Sequence, residues 1–173
     1  MIVMDTLEAI KSRRSIRRFK QNQPVSREQM EKLLEAAMFA PSAGNEQPWQ
    51  FIVIDDPLIL GKIPGICATA SMCRQAPVAV LVCGDATLEK YPKFWVQDCS
   101  AAVQNLLLAA HAMGLGAVWA GVYPLKDRVE GFKNLLSLPE EINPFALIPL
   151  GYPDQEPETP DRYLEERVHH NGW

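Results

Sequence analysis

Paired cysteines, clustered histidines and long apolar runs are all missing from this chain, and each absence removes a class of protein. Cys67, Cys73, Cys83 and Cys99 form no C-x-x-C pair and have small or apolar neighbours in "ICATASMC", "LVCGD" and "DCSAAV". Thiols in such settings are expected to be reduced and buried. Of three histidines, His111 lies in the apolar run "LLLAAHAMG" and His169 and His170 lie in the tail. With no ligand-like spacing among them, no metal site is expected. No uninterrupted apolar stretch approaches the roughly 18 residues that span a bilayer, and "MIVMDTLEAIKSRR" reaches an acid too early for a signal peptide. A cytoplasmic protein without a membrane anchor is expected. The G-x-G-x-x-G fingerprint is absent, so no separate nicotinamide-binding domain is implied. There is also no internal repeat and no low-complexity segment.

Basic charge is scarce too, except in one place. "KSRRSIRRFK", residues 11–20, holds Lys11, Arg13, Arg14, Arg17, Arg18 and Lys20, which are 6 of the 17 lysines and arginines. The rest of the chain is left with 11 basic against 21 acidic side chains. A nucleic-acid binder spreads cationic charge over a whole face, and a chain with a net charge of −4 does not fit that pattern. A small anionic ligand or cofactor fits better, the alternative being a solvated helix face. At 173 residues and 47% hydrophobic, the chain suits one domain with a single substantial core.

Patterning places the elements. Asp5 is a helix N-cap, and the first helix runs through Leu7 and Ile10 to the edge of the basic segment. Ser26 and Gln29 form an S-x-x-Q capping box for a second helix that stops before Pro41. "QFIVID" and "VAVLVCG" read as strands, the second fully buried. Residues 98–113 read as a helix that is apolar nearly all round and is closed by Gly114. "GAVWAG" and "FALIPLG" read as two more strands around a helix near "KDRVEGFKNLL". Such mixing predicts a sheet with helices on its faces. The Pro-rich, acidic stretch after Pro149 ends in Tyr163, Leu164, Val168 and Trp173, the composition of an arm that packs on something, with a partner subunit as the expected surface.

Three stretches carry the chemistry. "RRSIRRF" offers guanidinium forks that bind phosphate through paired, charge-assisted hydrogen bonds. "APSAGNEQPW" offers a hydroxyl and two amides on a loop, which suits a heterocycle, or else simply satisfies a capping turn. "GLGAVWAGVYP" offers small residues whose backbone can approach a flat ligand. Together with the ending "LIPLGYP...PDRY", these stretches resemble the FMN-dependent nitroreductase family over nearly the whole chain.

The resemblance implies an α+β fold, three-layer α/β/α, with a mixed, mainly antiparallel sheet flanked by helices in an intertwined homodimer. Residues 1–173 would form one FMN-binding domain, with 152–173 as an arm on the partner subunit. Arg13, Ser15 and Arg17 match phosphate and ribityl contacts, and Arg14 is placed to reach the ribityl chain or the flavin edge. Pro41, Ser42, Asn45 and Gln47 match a loop that comes over the flavin from the partner. Ala120 and Gly121, with Trp119 beside them, match the backbone near flavin N5 and O4. Gly151 and Arg162 match a late glycine and an arginine that returns to the phosphate, although Arg162 can also be read as an exposed ion pair with Glu165 or Glu166. The implied activity is ping-pong reduction of nitroaromatics, quinones or related small acceptors by NADH or NADPH through bound FMN, with no side chain as catalytic acid. The alternatives are a flavin-binding protein with a regulatory or storage role, and an enone reductase or dehalogenase chemistry. The chain is short for the family, so "DATLEKYPKFWVQD" replaces a longer insertion. Tyr91, Phe94 and Trp95 would form an abbreviated lid or interface packing.

Overall fold

In the computed structural model, which describes residues 4–173, one five-stranded sheet is sandwiched between two helix layers. The signal-peptide reading falls partly on residues 1–3, outside the described residues. The strands are β1 (Trp49–Ile54), β2 (Val78–Asp85), β3 (Gly116–Ala117), β4 (Ala120–Gly121) and β5 (Ile142–Gly151). Their order is β1-β2-β5-β3, and β4 also pairs with β5. Among the described residues every strand pair is antiparallel, and one parallel bridge, Ser15 to Ala117, makes the sheet mixed.

Side chains alternate across a strand, so a strand buried on both faces reads as continuously apolar. β2 does this. Val80 and Val82 pack with Leu33, Val103, Leu106 and Ile148 on one face, and Leu81 and Cys83 pack with Ile63, Val122, Phe132 and Leu147 on the other. The first face is covered by α2 (Arg27–Met38) and α4 (Trp95–Ala112), the second by α3 (Pro57–Ile66) and α5 (Lys126–Leu136). A further helix, α1 (Thr6–Ser12), leans on α4 and ends where Arg13 begins. Asp5 caps α1 by accepting from Leu7 N and Glu8 N, and the Ser26–Gln29 box caps α2, both as expected.

Three elements depart from expectation. The helix α3 was not foreseen, because "PLILGKIPGI" carries Pro64 in its interior, where a proline removes a hydrogen bond. Asp56 at the N-cap, Pro57 in the first turn and the buried Leu60 and Ile63 hold it nonetheless. The helix α4 starts at Trp95 rather than residue 98, since its N-cap, Phe94, provides no side-chain cap to read. The strand expected over "GAVWAG" is two short ones with a gap at Val118 and Trp119. That gap lies opposite Pro149: Val118 N donates to Pro149 O at 3.3 Å, but proline has no N–H to return.

The basic segment is fixed against this sheet. Ile16 N donates to Ala117 O (3.0 Å), Lys20 N to Tyr152 O (2.9 Å), and Asp154 N to Arg18 O (3.0 Å). Ile16 and Phe19 are buried beneath it. Two glycines make room: a Cβ on Gly116 would lie 2.6 Å from Ile16 Cγ2, and one on Gly151 would lie 2.7 Å from Pro77 Cδ and 3.3 Å from Phe19 Cδ1. Gly116→Ala is therefore expected to destabilise the fold by about 1–3 kcal/mol, because buried, β-branched Ile16 has little room to yield. Thermal denaturation at fixed protein concentration checks this, and an unchanged midpoint would show that the segment gives way freely.

Candidate functional site

The pinned main chain presents its arginines at the Leu150–Gly151 end of the sheet. Arg13 is half-buried, and its pKa lies below the ordinary arginine value, first through burial and then through the like charges of Arg14 and Arg162. Among the described residues the only ion pairs are Arg27–Glu31 and Lys32–Glu28, so no carboxylate answers this cluster. Arg162 makes no ion pair with Glu165 or Glu166 and instead comes within electrostatic range of Arg13.

The other members differ in what their donors do. Arg14 donates from Nε to Glu158 O (3.0 Å), from Nη2 to Lys11 O (2.5 Å) and from Nη1 to Arg13 O. Its guanidinium thereby caps the end of α1 and tethers the arm. Ser15 is half-buried at its bridge to Ala117, and Arg17 is exposed. Gln155, to which no sequence signal pointed, accepts from Arg17 N (3.0 Å) and Arg18 N (2.9 Å) through its Oε1 and so clamps the arm to the segment.

Beside the cluster a cleft of about 340 Å³ is lined by Ser12, Arg14, His111, Leu115, Gln155 and Pro157, among others. Ser12 Oγ donates its single proton to Glu8 O (2.6 Å), so it accepts from His111 Nε2–H at 2.7 Å, which places the ring proton on Nε2. Burial, then Arg13 and Arg14, push the His111 pKa below its ordinary value, and Glu8 opposes them in part. The ring stays neutral and adds no charge to the cluster.

Farther along β5, Ala120 is buried, Gly121 is exposed, and Trp119 rests edge-on against Phe145 with centroids 5.5 Å apart. A Cβ on Gly121 would meet nothing within 4 Å, so the strand here borders open space. Arg128 Nη1 donates to Gly121 O at 2.6 Å and fixes that peptide, a contact seven residues away with no motif to announce it. Gly151 is explained by its packing on Pro77 and Phe19.

The loop of Pro41, Ser42, Asn45 and Gln47 stands elsewhere. It leads into Trp49, paired with Gly84, at the opposite end of the strands from Gly151. The eight residue steps from Ile142 to Leu150 correspond to about 26 Å of strand. Pro41, Asn45 and Gln47 are exposed, while Ser42 Oγ accepts from Gln47 N at 3.0 Å. Trp95 packs within the subunit over Gly84 and edge-on to Tyr123 (4.9 Å), and Tyr91 and Phe94 stay exposed. The four cysteines are free and buried, with burial pushing Cys73 and Cys83 up to about 12 and Cys99 upward as well.

Together these features define an α/β/α protein with a cluster of arginines that no carboxylate answers at one sheet end, next to an open strip of backbone. The chain belongs to the Nitroreductase family, whose sequence profile matches residues 10–63 and 66–152. It is 55% identical over 170 residues to a Methanothermobacter thermautotrophicus protein provisionally named NADH dehydrogenase/NAD(P)H nitroreductase, with 98% of this chain and 88% of that one aligned. A crystal structure of a protein with the same provisional name from Parabacteroides distasonis is similar at TM-score 0.93 and 44% identity, covering 97% of this chain and 98% of that one. A provisionally named nitroreductase from Desulfovibrio desulfuricans, solved in complex with FMN, is similar at TM-score 0.83 and 35% identity, with 97% of each chain covered.

In ligand-free protein, an NMR titration of the His111 ring is expected to give a midpoint below the ordinary value near 6.5, with Arg13→Gln moving it upward. Because the folded value is depressed, this residue's contribution to stability is present above about 6.5 and is lost as pH falls through the folded value. A midpoint at or above the ordinary value would detach His111 from the arginines.

Proposed function

We propose that the protein is an FMN-dependent oxidoreductase that uses NADH or NADPH to reduce small acceptors such as nitroaromatics or quinones, acting as a homodimer in the cytoplasm. The observation that carries this reading is the convergence of Arg13, Arg14 and Arg162 without a carboxylate partner among the described residues, in a member of the Nitroreductase family. Like charges held this close are unfavourable until an anion joins them, and a phosphate accepts the paired hydrogen bonds that guanidinium forks offer.

The residues fit the whole cofactor. Arg13, Ser15, Arg17 and Arg162 would hold the phosphate, and Arg14 would add its charge while three of its five donors stay on the backbone. Trp119, Ala120 and Gly121 would border the ring system, where the open space at Gly121 admits a flat ligand that a Cβ would crowd. When bound, FMN supplies a two-electron centre that takes hydride from NAD(P)H and gives it to the acceptor in turn. The chain's own contribution is to bind, orient and exclude. Arg128 holds the Gly121 peptide in one orientation, and the cationic cluster favours negative charge nearby.

A second copy supplies what one chain lacks. The loop with Pro41, Ser42, Asn45 and Gln47 lies about 26 Å of strand from the arginines, so the loop that covers the flavin comes from the partner. Residues beyond Glu158 are exposed to the last one, with Trp173 fully so, which suits an arm whose packing surface is that partner. The free, buried thiols fit a reducing compartment.

The purified protein is expected to show flavin absorbance, or to acquire it with added FMN, and to bleach anaerobically with NADH or NADPH. Arg13→Ala should weaken FMN binding by about 10- to 100-fold, the worth of one charged hydrogen bond, and leave riboflavin, which has no phosphate, unaffected. A protein that takes up no FMN, or whose flavin neither nucleotide bleaches, would overturn the reading.

A further inference from the structure

The loop that would cover the flavin is bolted down by two buried acids. Glu46 and Asp98 are 6% and 4% exposed, the two charged residues in the core. Glu46 Oε2 accepts from Tyr91 N at 3.2 Å and from Lys90 N, and Asp98 Oδ1 accepts from Ala43 N at 3.0 Å. The loop is thereby tied to the segment around Tyr91 by one acid and to the first turn of α4 by the other. Glu46 Oε1 and Asp98 Oδ2 are left buried without a donor. Each acid's shift is caused in part by a hydrogen bond to the other, so the two carboxyl groups are neighbours, and one shared proton would relieve their missing donors.

Resting on the proposed function above, we propose that Glu46 and Asp98 are a positioning pair that shares one proton and thereby holds the 41–47 loop in the shape that meets the flavin. The proton resides on Asp98, which donates to Glu46. Burial raises the Asp98 pKa, with the bond and charge of Glu46 and the charge of Glu89 adding to it, against the Ala43 N–H. Glu46 is lowered, first by the Lys90 N–H, with the Tyr91 N–H, the Asp98 bond and the Lys90 charge acting the same way against burial. The groups facing the pair are thus Glu89, Lys90 and Tyr91 from the neighbouring segment and Cys99 on Asp98's own helix, whose thiol is itself pushed up.

The anchor matters because the loop does not hold its shape locally. Asn45 and Gln47, which flank Glu46, have left-handed φ of 54° and 48°, a conformation that non-glycine residues adopt at a cost. Gly44, at φ 52°, carries the ring of Tyr91 where a Cβ would come within 2.4 Å of Cε2. Losing the shared proton puts two negative charges in contact in a buried site, which drives the loop away from the first turn of α4.

The sign follows from the shifts. Asp98 is raised, so its contribution is complete below the ordinary carboxylate pKa and is lost as pH rises through the raised value. Glu46 is lowered, so its contribution holds above the ordinary carboxylate pKa and fails only as pH falls through the depressed value.

The test compares FMN dissociation constants against pH for wild type, Asp98→Asn and Glu46→Gln. Each amide keeps a donor between the two groups and removes the shared proton, and titration of the FMN phosphate is common to all three. The wild-type constant, relative to either variant, is expected to rise by up to about tenfold per pH unit above the pair's midpoint. In the FMN-free protein, infrared spectra should show a protonated-carboxyl C=O band that persists above the ordinary carboxylate range and is absent from Asp98→Asn. If that band is present but no protein binds FMN, the flavin reading fails and the pair stands. If FMN binds, the band is absent and all three pH profiles coincide, the pair is overturned and the flavin reading survives.

Discussion

Hydrophobic anchoring of the main chain beneath the arginines comes before everything else at this site. Ile16 and Phe19 are buried on either side of Arg17 and Arg18, and Gly116, Gly151 and Pro77 form the floor they sit on. Each such burial contributes about 1.5–3 kcal/mol. Two charges 4 Å apart in water repel by about 1 kcal/mol, so the packing terms exceed the repulsion of the exposed part of the cluster. The chain can therefore hold guanidiniums together before a ligand arrives. An anion then gains their hydrogen bonds without having to order the segment that carries them.

One proline connects the sheet to the rest of the site. Pro149 receives a hydrogen bond from Val118 and can return none, so the ladder on that side of β5 breaks and resumes at Ala120. The break leaves Trp119 edge-on to Phe145 and partly exposed, and it is followed by the exposed Gly121 whose carbonyl Arg128 holds. The open strip of backbone is thus a consequence of where the sheet cannot pair. The loop of Ser42 and Asn45 stands at the far end of the same strands because β1 enters the sheet there, opposite Gly84. Strand length alone therefore keeps this loop and the arginines of one chain apart.

How much of this was legible in the sequence depended on whether the signal was local. Asp5, the Ser26–Gln29 box and the continuous apolar run of β2 read correctly because caps and periodicity act within a few residues. The basic segment stood out by composition, and Arg162 joined it only through the resemblance; the structure then placed the two within range of each other. Three things were out of reach. The helix α3 is held by burial of Leu60 and Ile63 against its own proline, so tertiary packing overrode the local signal. Arg14 reads as a ligand group, and three of its five donors go to backbone carbonyls, one of them 144 residues away. Arg128, Gln155 and the partnership of Glu46 with Asp98 depend on long-range contacts that no spacing encodes.

The remaining titratable groups limit what the protein itself can do chemically. The thiols of Cys73 and Cys83 sit near 12 and that of Cys99 is raised as well, so none of these is a nucleophile or an acid at neutral pH. His111 is neutral, and its Nε2 proton is committed to Ser12. Asp98 keeps its proton for Glu46, inside the core. Among these thiols, His111 and Asp98, none holds a proton free to leave at neutral pH.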